Sequence, residues 1–142
     1  MKNKIENLES LLGKDEPNAT FHDSSLLTIS IDYDKKLLIA NFDICVGNPE
    51  GKNQPNLERY RPGRLKIDGL EFWFMESPTT PSDKWLPCPW LTADGPLSTC
   101  STPAAKLLLK RAAGKHFAWY FYFSDLNTFA YVAGDSVSFA WT

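Results

Sequence analysis

Histidine and cysteine are scarce in this sequence, and their scarcity limits the chemistry open to it. Two histidines, His22 and His116, and three cysteines, Cys45, Cys88 and Cys100, are spread over 142 residues. No two cysteines form a CxxC pair, whereas zinc sites are usually built from closely spaced ligand pairs. Cys88, Cys100, His116 and His22 have ligand chemistry, but 11 and 15 residues separate the last two cysteines and the next histidine. Those spacings favour buried free thiols acting as small hydrophobes. An odd cysteine count also suits reduced thiols better than a disulfide framework. No serine stands in a Gly-x-Ser-x-Gly elbow, and neither the dinucleotide fingerprint nor a P-loop is present. Cys88 lies between Pro87 and Pro89 with no base beside it to activate a nucleophile. The sequence therefore assigns no catalytic residue, no metal ligand and no cofactor.

Positive charge is not in surplus. A net charge of −2 and a pI near 5.6 argue against nucleic acid as a partner, which requires a basic stripe. Residues 1–51 carry five basic and nine acidic side chains, and residues 52–115 carry ten and six. No stretch approaches the 18 or so apolar residues of a membrane span. The opening ten residues, Met1 to Ser10, contain no apolar run of the kind a secretion signal needs. A cytoplasmic domain with no membrane partner is expected.

What the chain does have is core material. Its composition is 43% hydrophobic and 13% aromatic, and ten aromatics fall between Phe117 and Trp141. One domain over residues 1–142 is expected, with its core centred on that aromatic segment. A short helix is predicted over residues 4–12, capped by Asn3, with Glu6 completing a capping box and Gly13 ending it. Leu27, Ile29, Ile31 and Tyr33 alternate with Thr28, Ser30 and Asp32, and Leu38, Ala40, Phe42 and Ile44 alternate with Asn41 and Asp43. The two runs, joined by Asp34-Lys35-Lys36, predict a hairpin.

Residues 64–75 read as a third strand whose alternation slips at Asp68-Gly69. A bulge at Gly69 repairs the slip, and a tight Asp-Gly turn is the alternative. Residues 76–102 have no sustained period and read as a long loop that packs down through Trp85, Trp90 and Leu91. Thr102-Pro103 opens a second short helix, with Lys110 and Arg111 in its last turn. Three strands follow, carrying Phe117, Trp119, Phe121 and Phe123, then Phe129, Tyr131 and Ala133, then Val137, Phe139 and Trp141, and they read as a meander. The fold class is α+β: a mainly antiparallel, twisted sheet of about six strands with an N-terminal helix and one further short helix.

Few residues qualify as a site. His22 and Asp23 have the chemistry of a base and its orienter, although neighbours on a strand diverge, and local backbone bonding by Asp23 is the structural alternative. Arg59, Arg61, Arg64 and Lys66 around Tyr60 form the densest basic run, which reads as a solvated edge more readily than as an RNA surface. His116, Tyr120 and Tyr122 share the alternate face of the first C-terminal strand. That face is an interaction surface if it is uncovered and core if the second helix lies over it.

The helix, then Phe21-His22-Asp23-Ser24, then Leu27-Thr28-Ile29-Ser30-Ile31-Asp32, resembles the opening of some bacterial immunity proteins of polymorphic-toxin systems. The resemblance covers about the first 45 residues and transfers no functional residue. It implies a cytosolic inhibitor that occludes a toxin without catalysis. The expected function is thus a non-catalytic protein-binding module, with another protein or a second copy as partner. Asp32, Asp34, Asp43 or the loop with Trp85 and Trp90 would supply contacts. The alternative is a small-molecule binder or enzyme with a pocket between the sheet and residues 76–102, rimmed by His22, Asp23 and His116.

Overall fold

The computed structural model describes residues 5–47 and 59–142. Eight strands form one antiparallel sheet: β1 (Thr20–Asp32), β2 (Leu37–Cys45), β3 (Tyr60–Asp68), β4 (Phe72–Met75), β5 (Trp90–Pro96), β6 (Phe117–Phe123), β7 (Thr128–Gly134) and β8 (Ser136–Trp141). Their spatial order is β4-β7-β6-β5-β1-β2-β3-β8. Among the described residues, one α-helix, α1 (Pro103–Arg111), accompanies them with three short 3-10 turns.

The two ends of that order belong to one another. β3 and β4 are halves of one arm, β7 and β8 halves of a second, and the arms pair along their length. Gly63 to Asp68 face Trp141 to Ser136, and Phe72 to Met75 face Ala133 to Ala130. Bonds from Asp135 N to Asp68 O at 2.8 Å and from Glu71 N to Ala133 O at 2.8 Å carry the ladder across the junction. The register slips by one residue there, and Gly69, with φ of 61°, takes the left-handed backbone that a bulge needs. The sheet therefore closes on itself, and closure pairs the two terminal strands of the order that an open sheet would leave as edges.

The enclosed space is packed with side chains. Leu38, Ala40, Phe42 and Ile44 of β2, Leu65 and Ile67 of β3, and Phe117, Trp119, Phe121 and Phe123 of β6 form one core with Leu8, Phe21, Leu26 and Leu91. Phe21 and Phe42 meet edge to face at 5.3 Å, and burying each such ring contributes about 2–3 kcal/mol. A closed sheet of this size is just wide enough for such side chains to fill it. A second cluster lies outside, where α1 packs Ala105 and Ala112 against Tyr131, Ala133 and Phe72. Thr102 caps α1 by accepting from Ala105 N at 3.2 Å and also bonds the fully buried Tyr131 hydroxyl at 2.7 Å.

Several expectations are corrected. Among the described residues the strands number eight and not six, because the expected third strand divides at Gly69 into β3 and β4 and because β5 forms inside the segment read as a loop. β5 escaped notice because its pattern is interrupted by a register shift between Leu91 and Ala93 and ends at Pro96. The N-terminal helix is one 3-10 turn, Leu8–Leu11, capped by Asn7, whose side chain accepts from Ser10 N. The predicted cap Asn3 and first helical residue Lys4 lie outside the described residues. So short a helix gains little from its own hydrogen bonds, and this segment is held by Leu8 and Leu12 plugging into the core. β8 pairs with β3 and not with β7, so the C-terminal strands are not a meander. The second short helix stands as expected, as does the alternation of β2 and β6.

Candidate functional site

The packed interior leaves the ends and outside of the barrel for function. At one end, β1 and β5 part and the N-terminal turn lies beside them. Between them is a recess of about 290 Å³ lined by Glu6, Asn7, Glu9, His22, residues 92–96 and Trp119. A larger groove of about 610 Å³ adjoins it, sharing Glu6, Pro96 and Trp119, and running to Leu109, Ala113, Lys115 and His116.

Three carboxylates belong to the recess. Asp94 sits on the inner face of β5, opposite Phe121. It accepts a hydrogen bond from the Trp119 indole at 2.7 Å. Burial pushes its carboxyl above the usual carboxylate range; the Trp119 bond opposes that shift, Glu9 adds to it and His22 opposes it. Glu9 Oε1 accepts from Thr20 Oγ1 at 3.1 Å. Glu6 is exposed at the boundary of the two hollows.

His22 and Asp23 do meet. β1 is irregular between Thr20 and Ser25, and Asp23 takes a left-handed backbone with φ of 69°. An ordinary strand would send the two side chains to opposite faces. The irregularity instead sets His22 Nδ1 at 3.0 Å from Asp23 Oδ2. A non-glycine residue in that conformation carries strain, which is more frequent at functional sites. The pair is substantially exposed, with side-chain accessibilities of 62% and 42%.

The remaining predicted residues are not gathered here. Asp32 Oδ1 accepts from Lys35 N at 3.0 Å and shapes the β1–β2 turn, where Asp34 is exposed. Asp43 lies on β2 six residues beyond the turn end, opposite Ser25 and Pro62, or roughly 20 Å away along the strand. The three aspartates therefore make no common acidic surface. Trp85 donates its indole N–H to Thr80 O at 2.8 Å and remains 44% exposed. Trp90 N donates to Asp125 Oδ1 at 2.8 Å, which anchors the start of β5.

His116 is exposed in the larger groove, on the same flank as His22. Tyr120 packs into the cluster beneath α1, where burial raises its hydroxyl pKa. Tyr122 meets the Phe129 ring in a tilted contact at 4.9 Å and donates to Asn127 Oδ1 at 2.6 Å. The aromatic face is thus partly core.

The basic run is spent on internal partners. Arg59 and Arg61 both pair with the buried carboxylate of Glu16, at 2.5 and 3.3 Å, and Arg61 also lies over Trp141 at 4.7 Å. Arg64 donates to Asn41 Oδ1 at 3.4 Å. Among the described residues, no three His, Cys, Asp or Glu side chains are grouped to hold a metal ion. Cys45, Cys88 and Cys100 are all free. Among the described residues, no helix is long and apolar enough to cross a membrane. No family model, curated protein or solved structure matches this chain. Glu6, Glu9 and Asp94 were missed by sequence reasoning, since 84 residues separate Glu9 from Asp94 and only the fold brings them together.

Proposed function

We propose that this chain is a non-catalytic binding domain that takes a cationic group of a partner protein into the Glu6–Glu9–Asp94 recess, as a toxin-neutralising immunity protein would. The observation that carries the reading is the charge of the recess, whose lining among the described residues holds three carboxylates and one histidine and no lysine or arginine. A partly buried carboxylate such as Asp94 attracts a cation more strongly than one in open water, because the local dielectric is lower. Complementary charge would also speed association with a basic partner and make it sensitive to salt.

Titration with acetyl-arginine amide, followed by the indole N–H resonance of Trp119, tests the reading. The resonance should move with added ligand, less so in Asp94→Asn and at high salt. An indole signal unmoved at millimolar ligand would count decisively against it.

A second reading is favoured by the His22–Asp23 pair. A carboxylate on Nδ1 fixes the imidazole tautomer and leaves Nε2 as a base, the arrangement a small-molecule binder or enzyme would use. His22→Gln separates the two: cation binding survives under the first reading, and turnover of any pocket ligand is lost under the second.

A further inference from the structure

The closed sheet has one weak seam. Every neighbouring pair of strands shares four or more register positions except β1 and β5, which meet only at Ser24–Leu91 and Ser25–Trp90. One further bond, Leu26 N to Pro89 O at 2.9 Å, extends the contact away from the recess. On the recess side the strands part, because β1 is irregular between Thr20 and Ser25 and β5 shifts register between Leu91 and Ala93.

Residues 93–96 continue to pair with β6, from Ala93–Tyr122 to Pro96–Trp119, while β1 no longer accompanies them. Backbone N–H and C=O groups of a strand point alternately to its two sides, so a strand with one neighbour leaves half of them open. Among the described residues, no ladder or loop hydrogen bond serves residues 92–95 on that side. This open edge borders the recess whose lining includes Glu6, Glu9 and Asp94.

We infer that the open edge of β5 is a strand-addition site. Its occupant is an extended segment of a partner protein whose lysine or arginine enters the acidic recess. The inference rests on the binding reading above and names its mode. In strand addition the main-chain bonds supply affinity, and pockets for alternate side chains supply selectivity.

The edge is guarded against indiscriminate pairing. A bulge at Thr92, the charge of Asp94 and a Pro96 without an N–H all disfavour a casual neutral strand. A second copy paired symmetrically would set this acidic edge against itself, like charge on like. A cationic segment is the occupant these features leave.

The acetylated, amidated peptide Thr-Arg-Val-Arg-Thr tests the inference, alongside two analogues N-methylated at alternate residues in the two possible phases. All three keep the same charge. The parent should bind and shift the backbone amide resonances of residues 92–95, and one methylated phase should lose about tenfold in affinity while the other keeps it. Equal binding by all three would overturn strand addition while leaving the charged recess standing. Binding of acetyl-arginine amide without binding of any peptide would also overturn it. Silence from peptides and acetyl-arginine amide together would remove both readings.

Discussion

Asp94 is the residue on which site and stability meet. Burial raises its carboxyl pKa, and the Trp119 N–H only partly offsets this. The folded chain then holds the proton to a higher pH than the unfolded chain. Asp94 accordingly contributes stability that is fully present below its ordinary value of 3.8 and is lost as pH rises through the raised folded value. Urea denaturation of the protein and of Asp94→Asn, from acid to neutral pH, checks this. The difference should move in favour of the amide variant through that window and level off above it. A difference that does not vary with pH would mean that the carboxyl titrates as it does in water.

His22 and Asp23 illustrate the limits of reading single residues. Their types were legible in the sequence, but their contact depends on the left-handed backbone of Asp23, which alternation alone does not announce. Tyr131 is the opposite case. Burial pushes its hydroxyl up to about 12, so at neutral pH it remains a donor to Glu76 Oε1 at 3.0 Å. That role followed from α1 covering the face and not from the residue itself.

At the scale of elements, the crossing of the two arms is the most constrained point of the fold. A Cβ built at Gly134 would stand 2.9 Å from the backbone oxygen of Asp68 and 2.5 Å from Ile67 Cγ2. Backbone cannot move aside as a side-chain tip can. Gly134→Ala should cost about 2 kcal/mol through overpacking, measured by chemical denaturation, and an unchanged midpoint would show that the arms are less tightly joined there.

The slip at Gly69 was readable because hydrophobic parity changes across it. The matching break at Gly134-Asp135 looked like a hairpin turn, since both contain the residues turns favour. Only long-range pairing distinguishes an arm that continues from one that reverses. β5 was illegible for a related reason: a seven-residue strand with a register shift and a terminal proline has too few alternating positions to register as a period.

For the whole molecule, strand order decides how charge is distributed. β1 and β2 come from the acidic first segment and β3 from the basic second, yet they lie side by side. Arg64 therefore reaches Asn41 across the ladder, and Asp32, Asp34 and Asp43 do not combine. The same order concentrates protection unevenly. Hydrogen exchange should be slowest in β2 and in the paired arms, and far faster on the open side of residues 92–95. Uniform protection around the barrel would contradict a free edge at the β1–β5 seam.

The sequence by itself determined the antiparallel character of the sheet, the inward faces of β2 and β6, the capped second helix and the slip in parity at Asp68-Gly69. All of these are set by local periodicity, parity and caps, which act over a few residues. Closure of the barrel, the pairing of β8 with β3, the covering of Tyr120 and the meeting of Glu9 with Asp94 were decided only by the tertiary structure. Those features depend on which distant segments become neighbours, and that choice is made by the packing of the whole core.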